Sequence, residues 1–581
     1  MLNESYIRVL DVDLGTGRVR ALRRPDLQPY LGGVGLATAL LAEYVRPDLD
    51  PLAPEQPIVI AIGPLSTIYP AVTKAIAMFR SPLNGELGES HAGGRLALAM
   101  RYAGYDALVL HGRAPRPVYL YVDSDQVLLK RADTLWGMDA EEAGRVLRDL
   151  EPGRGHRSIM RIGPAGERLV RYALVNCETY RHFGRLGLGA VFGSKLLKGI
   201  YISGDCDIPI PNVKEYNRVY TEIYRRIVST DAMQKYHDLG TPANVLALHE
   251  LGALPTRNLQ SGRFEGAAEI SGEAFAEHDL MRKVACSGCP IGCIHIALLR
   301  QQFGDEHEYS WTGISYDHEL LYSLGSLLGI ASRRGILRLL DRVAQKGLDA
   351  IATGVTLAWA TEAAARGLID TRELGTDLSF GDVEGYLNAI EAIVEGKSEL
   401  ARQLALGVTA AARRYGGEDF ALALGGNPVA GYHTGYANVL GQLVGARHSH
   451  VDNGGYSIDQ KPRELTDEEI VDAVIAEEQE RNALNSLAIC MFARKIYDRP
   501  TALAALKAIG IPWTEQDWVD LGRRIYREKV ALKESFGFSY RDLRVPARFF
   551  ETPSMRGRLD PQRFARLLEL FNERLDAIRA A

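Results

Sequence analysis

Three cysteines packed into eight residues, Cys286, Cys289 and Cys293 in ACSGCPIGC, constrain this chain more than any other feature. Thiolates at C-x2-C-x3-C spacing wrap one corner of a compact inorganic centre, and the fourth ligand must come from elsewhere. Cys490, in NSLAICMF, is the candidate for that ligand. Pro290 and two nearby glycines suit a tight loop whose amides point at cluster sulfurs. Thiolates serve iron–sulfur clusters and zinc alike, so a structural zinc site and unliganded core thiols stay open on these residues alone. A radical enzyme using S-adenosylmethionine usually shows the reverse order, C-x3-C-x2-C. Cys177 and Cys206 stand alone in apolar or turn settings and read as bystanders.

The 581 residues predict about three or four domains and a core that needs no disulfides. A net charge of −5 and a pI near 6.3 argue against nucleic acid or an anionic membrane as partner. No apolar run reaches the roughly 20 residues that span a bilayer. The opening MLNESYIRVLDVDLGTGRVRAL has no basic stretch followed by an apolar one, so a cytoplasmic protein is expected. Within it, Ile7, Val9 and Asp11, then Gly15-Thr16-Gly17, then Val19 and Ala21 predict strand, turn and strand.

Short strand signals fill the first two hundred or so residues: PIVIAIG (57–63), YDALVLHG (105–112), PVYLYVD (117–123) and LVRYALVN (169–176). Helical periodicity then takes over at 333–346, 349–367, 381–395, 465–485 and 561–580. The expectation is a multidomain α+β fold. A β-rich domain over 1–207 with pseudo-twofold halves precedes mainly α-helical domains over 208–415 and 416–581. The halves are suggested by a weak repeat. Gly93-Gly94 opens a helix ending near Gly104, and Gly187-Leu188-Gly189 opens one ending near Gly199, with Gly94 and Gly189 95 residues apart. Two glycine-opened helices predict two anion sites at their N-termini.

Together these segments resemble the tungsten-containing aldehyde ferredoxin oxidoreductases. The resemblance runs through YLGGVGLATALL (30–41), FRSPLNGELGESHAGG, MRYAGYDALVLHG, RHFGRLGLGAVFGSKLLKGI (181–200), CSGCPIGC (286–293) and GLDAIATGVTLAWATEAAARGLI (347–369). It implies a metal between two pterins beside a [4Fe–4S] cluster, with Cys286, Cys289, Cys293 and Cys490 as cluster ligands. It implies Lys74 near both pterin and cluster. His91, Gly93 and Gly94 fall in a first phosphate loop, and Arg181, His182, Gly184 and Arg185 in a second, the phosphates bridged by Mg²⁺. Gly347, Leu348 and Asp349 match a G-x-D contact to a pterin, and Asn485 and Ile489 match contacts near the last cysteine. Glu319 aligns with a catalytic glutamate and His448 with a catalytic histidine, with His450 as its rival. A carboxylate in an apolar pocket is expected to have its pKa raised into the range of a general base.

Departures are equally specific. The family's D-x-x-G-L-C is Asn485-Ser486-Leu487-Ala488-Ile489-Cys490 here. The glutamate of a dimer-bridging iron is replaced by Arg338, and no histidine lies between His318 and His433, so no bridging iron is expected. The resemblance implies oxidation of a small aldehyde to a carboxylic acid at tungsten or molybdenum. Ferredoxin or an iron–sulfur subunit of a homo- or hetero-oligomer accepts the electrons. The main rival is the active-site subunit of a tungsten-dependent aromatic acyl-CoA reductase. It predicts a metal-ligating cysteine between the third and fourth cluster ligands, and none lies between Cys293 and Cys490. A non-catalytic iron–sulfur electron-transfer protein needs the four cysteines alone. Trp311, Tyr316, Tyr322 and Tyr456 are candidates to line a substrate pocket.

Overall fold

The first strand is apolar on both faces, because Leu10 and Val12 alternate with Val9, and such a strand must lie inside a sheet covered on both sides. It does so in the computed structural model, which describes residues 5–580 apart from Pro152, Arg154 and Glu306. The first four residues of the opening segment lie outside the described residues. Strand β1 (Ile7–Asp13) returns through β2 (Arg18–Arg24), as its pattern predicts. Asp13 Oδ1 closes the turn by accepting the Gly15 and Thr16 amides at 2.9 and 3.3 Å.

β3 (Ile58–Ile62), β4 (Ala75–Arg80), β5 (Leu87–Ala92) and β6 (Ala107–His111) complete a six-stranded sheet, ordered β2-β1-β6-β3-β4-β5. Only β1 and β6 run parallel in it. A second six-stranded sheet follows: β7 (Val118–Val122), β8 (Val127–Arg131), β9 (His156–Arg161), β10 (Val175–Cys177), β11 (Arg181–Phe183) and β12 (Leu197–Gly204). Its order is β11-β10-β9-β12-β7-β8, again with one parallel pair, β7 and β12. Strand for strand the two sheets share one topology. Helices α1 (Gly33–Tyr44) and α3 (Ala140–Leu150) follow the second strand of each half. α2 (Leu96–Tyr102) precedes the last strand of the first half. In the second half, a single turn α4 (Pro164–Glu167) intervenes before α5 (Leu188–Ser194), the counterpart of α2.

The repeat is therefore real, but its spacing is not the one the glycines suggest. α2 and α5 begin at Leu96 and Leu188, so the offset is 92 residues. Gly189 lies inside α5 and Gly199 inside β12, whereas Gly94 and Gly104 flank α2. LVRYALVN is also not one strand. Only Val175–Cys177 pairs in the sheet, because the preceding backbone is used elsewhere. Leu174 N donates to Gly347 O at 2.8 Å and Tyr172 O accepts from Asp349 N at 3.0 Å.

The faces of the first sheet go to different cores. Leu10, Ile58, Ile60 and Ile62 pack with Leu120, Ile200 and Ile202 of the second sheet, and Met100 and Phe192 of α2 and α5 join them. Val9, Val59, Ala61 and Val109, on the other face, are covered by α1 and by residues from far down the chain, including Leu484, Leu487, Trp518 and Ile525.

Beyond residue 212 the chain is mainly helical. Helices Arg333–Lys346, Ala350–Ala365, Val383–Glu395, Asp467–Ser486 and Pro561–Ala580 lie where the 3.6-residue period predicts them. A three-stranded antiparallel sheet interrupts them: β13 (Leu280–Val284), β14 (Ile294–Gln302) and β15 (Tyr309–Tyr316). No helix of the described residues is long and apolar enough to cross a membrane.

Candidate active site around four cysteines

The loop joining β13 to β14 carries Cys286, Cys289 and Cys293, and Cys490 follows helix Asp467–Ser486. Residue 71 ties the two segments together. Ala71 N donates to Gly288 O at 3.3 Å, and Ala71 O accepts from Cys490 N at 3.0 Å. Lys74 N donates to Ala488 O at 3.2 Å, and Ser287 N to Gly94 O at 3.1 Å. Ala71 and Ala488 both take the left-handed conformation, at φ 61° and 62°, to make these bonds. Gly93 touches the same point: a β-carbon there would lie 2.8 Å from Cys286 Sγ and 3.4 Å from Lys74 Nζ.

Burial, reinforced by Cys490 and Cys286, pushes the Cys289 thiol up to about 12. Burial and Cys490 push Cys293 up further, with Arg181 opposing. The buried Lys74 ammonium pays a desolvation cost, but the facing Cys490 and Cys286 raise its pKa. Four thiols with one buried cation form a donor set suited to an anionic sulfur-ligated centre. Among the described residues no group of three or more His, Cys, Asp or Glu side chains is placed to hold a single metal ion.

Arg181, whose charge acts on Cys293, is followed in sequence by His182, which with Gly184, Arg185, Leu348 and Asp349 lines a cavity of about 170 Å³. The second loop and the G-x-D segment, far apart in sequence, thus share one wall. Asp349 does two jobs. Its Oδ1 caps helix Ala350–Ala365 by accepting Ile351 N at 2.9 Å, and its Oδ2 meets Arg185 Nε at 2.9 Å. Asn427, which no sequence signal marked, holds Arg185 Nη2 through Oδ1 at 2.5 Å. Gly347 takes φ 74°, the left-handed end of helix Arg333–Lys346. Burial, with the Arg181 and Arg161 charges, lowers His182 to about 3. Arg181 Nε and His182 Nε2 are buried without a hydrogen-bond partner. Such orphaned groups beside a cavity fit a polar, phosphate-bearing cofactor.

Each of the two helix N-termini has one amide bound to a protein acceptor. The Arg95 amide at the start of α2 donates to Glu178 Oε1 at 2.9 Å. The Gly189 amide of α5 donates to Ala173 O at 2.9 Å. His91 points to Glu89 Oε1 at 2.8 Å, and burial with the Arg447 charge lowers it to about 4. Asn485 and Ile489 are both buried, Ile489 in the apolar core shared with Cys289 and Cys293.

Glu319 and His448 do not meet. His450 Nε2 stands 3.5 Å from Glu319 Oε1, and Tyr432 donates its hydroxyl to the same oxygen at 2.9 Å. The Tyr432 ring stacks on His450 and Tyr456, with centroids 5.2 and 4.7 Å away. His448 is instead locked in a buried ionic cluster. Its Nε2 lies 2.9 Å from Glu86 and 2.8 Å from Lys533, and its Nδ1 lies 2.7 Å from Leu443 O. Neighbouring Glu89 joins Lys529 at 2.5 Å and Arg447 at 3.2 Å. His450 opens the helix His450–Asn453, whose capping box of Ser449 and Asp452 was the signal that could have placed it.

The pKa expected for Glu319 also has the wrong sign. Burial raises it, but the His450 hydrogen bond and the His318 and His450 charges hold it at about 2. Two residues before it, Asp317 is raised to about 6, where burial outweighs Arg181 and Lys74, and the Glu319 charge adds to it. Of the aromatic candidates, Tyr316 and Tyr322 are fully buried core, and Trp311 is exposed.

Comparison with known proteins gives the family and the fold. Residues 9–204 match the family description "Aldehyde ferredoxin oxidoreductase, N-terminal domain", and residues 218–577 match "Aldehyde ferredoxin oxidoreductase, domains 2 & 3". The chain is 31% identical over 574 residues to the tungsten-containing aldehyde ferredoxin oxidoreductase of Thermococcus kodakarensis, covering 95% of this chain and 92% of that protein. It is 32% identical over 424 residues to an aliphatic sulfonate oxidoreductase, WOR-like subunit, of Pyrococcus furiosus, covering 70% and 66%. In fold it is similar to the active site complex BamBC of benzoyl coenzyme A reductase solved with 1,5-dienoyl-CoA. The TM-score is 0.83, at 20% identity, over 99% of this chain and 97% of that one.

Proposed function

The chain belongs to the aldehyde ferredoxin oxidoreductase family, and on that footing we propose that it oxidises aldehydes to carboxylic acids at a tungsten or molybdenum held by two pterins. Cys286, Cys289, Cys293 and Cys490 would hold a [4Fe–4S] cluster, which would supply one-electron transfer to a ferredoxin or an iron–sulfur subunit. The observation that carries this reading is the meeting of the Cys286–Cys293 loop and Cys490 on Ala71 and Lys74.

When bound, the metal and its dithiolenes supply the two-electron oxidation. The protein supplies binding, orientation and proton handling. Arg181, His182 and Arg185 would hold pterin phosphates, aided by Mg²⁺, and Lys74 would offset the negative charge of a centre on Cys286 and Cys490. Glu319, ionised at neutral pH, would orient the attacking water, with Tyr432 and His450 fixing its carboxylate. His450 takes the place first assigned to His448. Asp317, which holds a proton up to about pH 6, is the acceptor closer in basicity to the proton released.

Elemental analysis of anaerobically purified protein tests the cofactors. Iron with tungsten or molybdenum agrees with the proposal, and zinc alone overturns it. A panel of aldehydes with an oxidised viologen dye tests the reaction, with an aliphatic sulfonate included and an aromatic acyl-CoA tried with reduced dye as electron donor, because relatives carry those names. Turnover of the acyl-CoA but no aldehyde would reverse the assignment. Glu319→Gln should lower turnover by about a hundredfold with metal and cluster content unchanged.

A further inference from the structure

A line of tyrosines leads away from the thiols. Helix Val213–Val228 carries Tyr216, Tyr220 and Tyr224 four residues apart, so their rings share one face. Ring centroids are 5.8 Å apart for Tyr216 and Tyr220 and 6.4 Å for Tyr220 and Tyr224. Tyr69 meets the inner end, 5.1 Å from Tyr216 and 6.4 Å from Tyr220. It stands two residues before Ala71, whose amide and carbonyl bind Gly288 and Cys490. Tyr497 shares a core with Tyr69, Cys289 and Cys293, and its hydroxyl donates to Pro70 O at 2.5 Å. Burial raises the pKa of that hydroxyl, and the Tyr69 and Cys289 charges add to it, so both lie close by. At the outer end Tyr224 is 42% exposed.

Packing alone does not ask for tyrosine here. Tyr69 is buried, and its hydroxyl has no hydrogen-bond partner. Phenylalanine would fill the same space without leaving a buried donor unsatisfied. What tyrosine adds is a ring that can give up an electron with its phenolic proton and later take both back. Productive electrons have no use for such a path, because a phenol yields an electron only to a strong oxidant.

We propose that Tyr497, Tyr69, Tyr220 and Tyr224, with Tyr216 as a side branch, carry oxidising equivalents from the thiols to the surface, where a small thiol in solution consumes them. The proposal rests on the iron centre read above on the four cysteines. Hydrogen peroxide that meets reduced iron there takes one electron and splits into hydroxide and a hydroxyl radical. That radical takes a hydrogen atom from Tyr497 or Tyr69, giving water and a tyrosyl radical. Each outward step returns a hydrogen atom to the inner ring and leaves the next ring oxidised. At Tyr224 the thiol gives the last hydrogen atom and becomes a thiyl radical. Left where it forms, the hydroxyl radical would attack the cysteines, whose oxidation beyond the sulfenic stage is largely irreversible.

The test gives hydrogen peroxide to reduced holoenzyme of measured iron content, with a nitroso spin trap present, and locates the adducts by mass spectrometry. Tyr309, 38% exposed and outside the chain of rings, is the reference. Wild type should carry about fivefold more adduct on Tyr224 than on Tyr309. Tyr220→Phe should cut the Tyr224 adduct about fivefold, although Tyr224 itself is in place, and leave the Tyr309 adduct unchanged. Tyr216→Phe should cut it less than twofold, because Tyr69 also meets Tyr220 directly. With a small thiol in place of the trap, peroxide should strip iron about threefold faster from Tyr220→Phe than from wild type. Tyr224→Phe, a change at the surface, should lose iron equally fast. All three variants should start with the iron content of wild type, which shows that they are folded and loaded. Iron-loaded wild type with no excess adduct on Tyr224, or a Tyr224 adduct that survives Tyr220→Phe, overturns the proposal. The same labelling pattern on iron-stripped protein overturns it too, because the oxidant then did not start at the thiols. A chain that binds no iron as purified instead removes the centre, and with it the function proposed above.

Discussion

Asp317 and Glu319 sit two residues apart at the start of one helix, yet burial wins at the first and hydrogen-bond and charge partners win at the second. Glu319 receives Tyr432 and His450 and stays ionised, while burial keeps Asp317 protonated up to about pH 6. If Asp317 takes up the reaction proton, kcat/KM should rise with pH through about 6 as Asp317 empties. Asp317→Asn should remove that limb and leave metal content unchanged; a retained limb would assign it to another group. The cysteines were legible in the sequence because their spacing is local and their chemistry narrow. The choice between His448 and His450 was not, because it depends on Glu86, Lys533 and Tyr432, which come from distant segments. The sign of the Glu319 shift was hidden for the same reason.

At the scale of elements, the end of helix Asp467–Ser486 is gripped by two glycines of the first sheet region. A β-carbon on Gly63 would lie 2.2 Å from Leu487 O, and one on Gly33 would lie 2.2 Å from Asn485 O. Gly63→Ala should therefore push the Leu487 backbone away, costing about 1–3 kcal/mol as overpacking does. Because Cys490 follows three residues later, the variant should also bind less iron per chain than wild type. Full iron content with an unchanged melting temperature would show that the grip is slack. The long helices were legible because their apolar period is unbroken over three turns or more. The sheet β13–β15 was not foreseen, and LVRYALVN looked like a strand until the backbone at 347–349 was seen to claim its hydrogen bonds.

For the molecule as a whole, the duplicated sheets and the distant helices are one unit rather than beads on a string. Val9, Val59 and Val109 of the first sheet are covered partly by α1 and partly by Leu484, Leu487, Trp518 and Ile525. A fragment of residues 1–207 alone should expose that face, bind a hydrophobic dye and precipitate, although its own inter-sheet core is complete. A soluble fragment that binds no dye would show the cover to be dispensable. The bonds of Ala71 carry this interdependence into biosynthesis. Its partners at Gly288 and Cys490 leave the ribosome at widely separated times, the second when most of the polypeptide has been made. A centre that needs all four thiols would therefore have to wait until Cys490 has emerged, and a message truncated before codon 490 would yield a product that lacks the fourth thiol.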